Sequence, residues 1–210
     1  MIPRSGGAMR GVPLVVFILL SVAVAACDQA APPAETPPDP AAAQPLSAAA
    51  TPVISAVTWP PAASVDRTAL AALPKTAAHA ARASRVPVLV PSRRELLAAP
   101  VIVAREHWTS FWAKADAITV SLTMTRLSRN YPSIPPFRGA RAVRGAPAFV
   151  TANEGIWSAS WIENGVSYAL DVECASPEAP ACASDALVLE LASELVYVGG
   201  DEPRAAGDMP

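Results

Sequence analysis

Histidine is scarce in this chain. Only His79 and His107 occur in 210 residues. Neither belongs to an HExxH or comparable ligand spacing, so no metal site is expected. The usual catalytic signatures are missing too: there is no Gly-x-Ser-x-Gly elbow, no Ser-x-x-Lys and no glycine-rich phosphate loop. No cofactor is implied, and the expectation is a protein that is not an enzyme. A hydrolase would need two carboxyls held about 5–9 Å apart in a cleft, and the sequence brings no such pair together. Aromatics are few, 6% of residues against 52% apolar. Much of the apolar content is alanine, so the core must be assembled from a short list of large side chains. The net charge of −2 excludes a general nucleic-acid binder.

Proline is abundant, at 23 residues, and it crowds the N-terminal part. Ahead of it, Arg4 and Arg10 precede any acid. Val12 to Ala26 is then an almost unbroken apolar run of about fifteen residues, shorter than the roughly twenty that span a bilayer. A basic start, an apolar centre and a small-residue end form a secretory signal. The junction Val24-Ala25-Ala26-Cys27 resembles the lipobox of bacterial lipoproteins, and the resemblance covers residues 1–27. It implies that Cys27 is lipidated, that residues 1–26 are removed, and that a lipid bilayer is the first partner. One acyl chain holds only marginally, so two or three make the anchor stable. An ordinary cleaved signal or an uncleaved anchor are the other readings. The expected location is the periplasmic side of the cell envelope; Asp28 resembles the enterobacterial signal for retention in the inner membrane, with the outer membrane as the alternative.

Residues 27–63 are Ala, Pro, Thr, Ser and Gln without helical or strand period. Such a segment cannot repay its ordering entropy by burial, and it reads as a disordered tether. Residues 64–84 read as alanine-rich short helices that pack weakly, with Ser64 as a cap and Pro74 as a break.

A folded domain is expected over 85–200, with a disordered tail over 201–210. Val86 to Pro91 reads as an edge strand. Ser92 and Glu95 match a capping box for a short helix ended by Pro100, and Val101 to Ala104 is the next strand. Ile118 to Leu127 alternates strictly, so Ile118, Val120, Leu122 and Met124 share one buried face. Trp108 to Ala113 is its hairpin partner, turning near Lys114-Ala115-Asp116. Asn164-Gly165 is a two-residue hairpin turn. It sets Trp161 opposite Tyr168, Ala159 opposite Leu170 and Trp157 opposite Val172, all on one apolar face. A second turn at Glu154-Gly155 brings Val150 opposite Ala159. Ser184 to Val196 reads as a helix whose Leu187, Val188, Leu191, Ala192 and Leu195 cover the sheet, with Glu190 and Glu194 in water. The fold class is α+β: a curved antiparallel meander packed by a C-terminal helix.

With Cys27 assigned to lipid, Cys174 and Cys182 remain as a disulfide pair suited to an oxidising compartment. Charge is uneven. Residues 85–144 carry +7 and residues 145–210 carry −10. Either the halves pair and offset one another, or a basic face awaits an anionic partner. Two features could bind. Trp108 and Trp112 share a strand face; buried they are core, the reading preferred here, and exposed they stack on sugar rings or a peptide. The loop Asn130 to Gly145 gathers Phe137, Arg138, Arg141 and Arg144, suited to phosphate or carboxylate groups. The Trp161-x-x-x-Gly165-x-x-Tyr168 hairpin resembles hairpins in extracytoplasmic domains of anti-sigma and sporulation-type envelope proteins, which implies a binding or sensing role. The expected function is therefore an envelope lipoprotein that binds a protein or an anionic envelope polymer. A carrier of lipids or other hydrophobic ligands is the alternative, and it requires a cavity between sheet and helix; an envelope hydrolase without a recognisable motif is the second alternative.

Overall fold

A computed structural model describes residues 50–132, 138–176 and 178–200. The first elements are β1 (Thr51–Ile54), α1 (Arg67–Ala72), α2 (Lys75–Arg82), β2 (Val88–Pro91), α3 (Arg94–Leu97) and β3 (Val101–Ala104). The long strands β4 (Trp108–Ala115) and β5 (Ile118–Thr125) follow, then β6 (Leu127–Asn130) and β7 (Arg141–Val143). The chain ends with β8 (Ala146–Asn153), β9 (Ile156–Glu163), β10 (Val166–Cys174), α4 (Ala186–Ser193) and β11 (Leu195–Gly199). Residues 1–49, 133–137, 177 and 201–210 lie outside the described chain. The expected signal, lipid site, most of the tether and the tail fall there.

Seven strands form one antiparallel sheet in the order β3-β4-β5-β10-β9-β8-β7. It consists of two meanders, β3 to β5 and β7 to β10, joined where β5 meets β10. Turn chemistry fixes the second meander. Asn164 and Gly165 take φ of 56° and 78°, and Glu154 and Gly155 take 50° and 81°, as two-residue hairpin turns of the primed type require. The register then follows: Trp161 opposes Tyr168, Ala159 opposes Leu170, Trp157 opposes Val172, and Val150 opposes Ala159. A slip of one residue would turn these side chains to the other face.

The inward face holds the core. Phe111, Val120, Leu122, Met124, Tyr168, Leu170 and Val172 are buried almost completely, with Trp161 stacked on Tyr168 at 5.3 Å. Helix α4 covers β9 and β10 through Val188, Leu191 and Ala192, while α2 and α3 lie against β3 and β4. Between them runs a two-stranded sheet of β2 and β11, with Val90 opposite Val196.

Several boundaries differ from the sequence reading. The last expected helix ends at Ser193, and Leu195 to Gly199 is strand. Leu195-Val196-Tyr197-Val198 is rich in β-branched and aromatic side chains that favour a pleated partner, and Val88 to Pro91 supplies one. That strand is consequently paired and buried along its length. Asp185 directly precedes α4 and Ser184 Oγ accepts from the Ala186 amide at 3.4 Å, whereas Ser92 does not cap α3, whose N-cap is Arg93 without a side-chain bond. Asp66, not Ser64, caps α1, accepting from the amides of Thr68 and Ala69 at 2.9 Å each. The alanine-rich helices are integral to the fold. Ala77, Ala78 and Ala81 are buried, their small side chains letting α2 approach until the Ala81 carbonyl touches Gly199. Thr51 to Ile54, expected to be part of the tether, instead pairs with Leu127 to Asn130 as a two-stranded ribbon. The chain then crosses the Asn164–Gly165 turn, where the Thr58 amide donates to the Asn164 carbonyl at 3.0 Å.

Candidate functional site

The outward face of the large sheet is the open one. Strand parity places Thr109, Phe111 and Ala113 of β4 inward, and so places Trp108, Ser110, Trp112 and Lys114 outward. Trp112 is 44% exposed. The preferred sequence reading, that Trp108 and Trp112 are core, is therefore overturned. Its cause is a turn displaced along the chain. The β4–β5 hairpin turns at Asp116-Ala117, pairing Trp112 with Ser121 and Phe111 with Leu122. A turn centred on Ala115 would have paired Trp112 with Ile118 and reversed the faces.

Cross-strand pairing aligns a row over this face: Val101, Trp112, Ser121, Asp171, Ser158 and Thr151. Asp171 lies in the middle. It accepts a hydrogen bond from Ser158 Oγ at 2.6 Å and a longer one from Ser121 Oγ at 3.4 Å. Those hydroxyls hold the carboxylate in place while leaving it lone pairs toward solvent, since an ionised carboxylate has about four acceptor positions. The neighbouring row adds Thr119, Glu173, Ile156 and Asn153. Ser121, Asp171 and Ser158 with this second row floor a shallow hollow of about 320 Å³, and Trp112 is one wall. A second hollow of about 440 Å³ lies farther along the same face, bordered by Thr123, Arg138, Phe149, Ser160 and Ile162. Asp171 and Glu173 stand side by side on one strand rather than facing across a cleft, so they are placed as hydrogen-bond acceptors and not as the opposed pair that glycoside hydrolysis needs. No sequence motif marked Ser158 or Asp171 as part of a site. The signal was the run of Thr and Ser alternating through β5, a floor of short polar side chains.

The arginines of the 130–145 loop do not converge. Arg138 is exposed beside the larger hollow, and Phe137 lies outside the described residues. Arg141 pairs with Asp185 at the start of α4, at 2.6 Å. Arg144 is turned inward. Its guanidinium forks onto Glu163, with Nε to Oε2 at 2.8 Å, donates to the Leu195 carbonyl at 2.5 Å, and lies 5.3 Å from the centre of the Tyr197 ring. The Tyr197 hydroxyl donates to Glu163 Oε1 at 2.6 Å and accepts from Asn164 Nδ2 at 2.9 Å. Burial alone would lower the Arg144 pKa, but the hydrogen bonds and charge of Glu163 outweigh it and the pKa is raised. Burial likewise works against the Glu163 carboxylate, yet Arg144 and Tyr197 hold its pKa below the usual value. Burial, with Glu163 beside it, pushes Tyr197 up to about 12. This group ties the β9–β10 turn to β7 and β11. It is a clamp in the fold rather than a receptor for ligand.

Cys174 and Cys182 form a disulfide with Cα atoms 6.3 Å apart, and Trp157 Nε1 donates to the Cys182 carbonyl at 2.8 Å. Cys27 lies outside the described residues. Among the described residues no group of three or more His, Cys, Asp or Glu is placed to hold a metal, and no helix is long and apolar enough to cross a membrane. No protein-family model, curated protein or solved structure matches the chain.

Proposed function

We propose that this chain is a lipid-anchored protein of a bacterial envelope whose open sheet face binds a polysaccharide. The observation that carries the binding reading is Trp112, exposed beside a polar floor centred on Asp171. A sugar ring has an apolar C–H face and a rim of hydroxyls. The indole accepts the first by stacking. Asp171, Glu173, Asn153 and the serine hydroxyls suit the second, as acceptors and donors at fixed positions. The centre of a protein–protein interface is depleted of charge and enriched in aromatics. Here the centre is Ser, Thr and Asp with the aromatic at the border, which favours a glycan over a protein surface. The interior weighs against the lipid carrier, because Phe111, Leu122, Met124, Tyr168 and Leu170 fill the space between sheet and helices that a carrier needs hollow.

The anchor is supported by Val24-Ala25-Ala26-Cys27. From Cys27 to the first described residue the chain could reach about 70 Å if fully extended at about 3.1 Å per residue, enough to hold the domain away from a bilayer. Intact mass of the membrane-extracted protein tests it: loss of residues 1–26 with added acyl mass is expected, and a mass without acyl groups would end the anchor reading. Binding is tested by calorimetry with soluble oligosaccharides released from the envelope. Trp112→Ala is expected to weaken binding about tenfold, the equivalent of about 1.4 kcal/mol, and Asp171→Asn to weaken it as well. Equal affinity of parent and Trp112→Ala would sink the assignment of this face.

A further inference from the structure

Ten Arg and Lys residues fall in 85–144, and the acidic half of the chain engages three of them: Arg93, Arg141 and Arg144. Three of the others, Arg85, Arg105 and Arg126, line one concavity of about 570 Å³ at the end of the large sheet. They arrive from separate elements. Arg85 lies between α2 and β2, Arg105 is in the β3–β4 turn, and Arg126 joins β5 to β6. His107, in the same turn as Arg105, completes the lining. The backbone locks the convergence, since the Arg105 amide donates to the Trp108 carbonyl at 2.8 Å and the Arg126 amide to the His107 carbonyl at 3.0 Å.

Two buried atoms here have no hydrogen-bond partner: Arg126 Nε and His107 Nδ1. A guanidinium N–H is always a donor, and a buried donor left unmade costs free energy. Three guanidinium groups side by side also repel. The single carboxylate at the rim, Glu106, lies 3.7 Å from His107 Nε2 and is otherwise open to solvent. The unmade guanidinium donor and the clustered positive charge are both relieved by one thing, an anion with several acceptor oxygens.

We propose that this concavity is a phosphate-binding site, taking a phosphate monoester or diester with Arg85, Arg105 and Arg126 as its ligands and His107 as a further donor. Arginine forks match phosphate oxygens in pairs, and three arginines from three elements surround the group instead of meeting it on one side. The site is at the opposite end of the β4 hairpin from the Trp112 and Asp171 hollow, so it does not depend on the glycan reading. The phosphate has two possible sources: the headgroup of an anionic lipid, or a phosphorylated solute.

The test uses the full chain with two probes, inorganic phosphate followed by calorimetry, and vesicles of phosphatidylcholine with and without phosphatidic acid. Arg85→Gln is an exposed substitution that leaves the core untouched, and Arg126→Gln is compared with Arg126→Lys. Phosphate binding is expected in the parent, about tenfold weaker in Arg85→Gln and in Arg126→Gln, with Arg126→Lys between. A preference for phosphatidic acid vesicles that disappears in Arg85→Gln would identify a lipid source. Phosphate binding without that preference would identify a solute. Absence of phosphate binding in the parent, or equal affinity in parent and Arg85→Gln, would overturn the site.

Discussion

At the scale of single residues, the Arg144–Glu163 pair has the clearest energetic consequence. Both side chains are largely removed from solvent, at 17% and 19% exposure. Removing one partner leaves the other charge buried and uncompensated, which costs about 3 kcal/mol. Arg144→Met should therefore lower the urea midpoint sharply, and an unchanged midpoint would contradict the clamp. The pH dependence has a defined sign. The folded pKa of Glu163 lies below its unfolded value of 4.5, so its contribution is present above about pH 4.5 and is lost as pH falls through the folded value. Glu163→Gln should flatten stability across that acidic window, measured by urea titration at several pH values. The clamp was not legible in the sequence. Nothing marked Glu163 beyond its place before the Asn164-Gly165 turn, and Arg144 was read in a loop suited to phosphate or carboxylate groups, because nothing local indicates that β11 returns to cover them. Trp112 failed for a different reason. Period-two patterning establishes that a strand has two faces, and only the turn position decides which face is inward.

At the scale of elements, legibility followed the strength of the turn signal. Asn164-Gly165 and Glu154-Gly155 determine their hairpins without help from the rest of the chain, and three strands were readable with their register. Gly165 has a second duty. A Cβ there would strike the carbonyl oxygen of Ala56 where residues 55–58 cross the turn. Gly165→Ala should destabilise by about 1 kcal/mol or more, from the positive φ and the collision together. Amide exchange at Thr58, whose hydrogen bond to Asn164 would be displaced, should rise with it; protection that stays at parent level would argue against the crossing. Helix α4 and β11 were fused in the sequence reading because Leu195 extends the apolar stripe of Leu187, Val188, Leu191 and Ala192. Periodicity alone carried the helix past the point where a strand partner ends it. The loop closed by Cys174 and Cys182 is short, so replacing both by serine should cost about 2.5 kcal/mol in the chain-entropy model, read from the urea midpoints of the oxidised parent and the variant.

At the scale of the whole molecule, pairing between halves offsets part of the charge asymmetry. Arg93 reaches Glu190 and Glu194, Arg141 reaches Asp185, and Arg144 reaches Glu163. Each pair joins the basic stretch to the acidic one across the fold, as the first of the two readings has it, while Arg85, Arg105 and Arg126 remain outside this pairing. The exposed pairs are individually weak, under about 1 kcal/mol. At 1 M NaCl, where the Debye length is about 3 Å, stability should fall by roughly 1 kcal/mol relative to low salt. Urea midpoints at the two salt concentrations check this, and a rise would be inconsistent with cross-half pairing. The junction of β5 with β10 carries a consequence of timing. These strands pair residues about fifty positions apart, while every other contact between neighbours in the large sheet is made within a meander. The β3–β5 meander can fold early but shows an unpaired edge at β5 until residue 174 is available. Closing that long loop is the slow entropic step. A chain that crosses a membrane N-terminus first would therefore travel with a half-built sheet whose raw edge invites the wrong strand, and the last strand to arrive is the one that makes it whole.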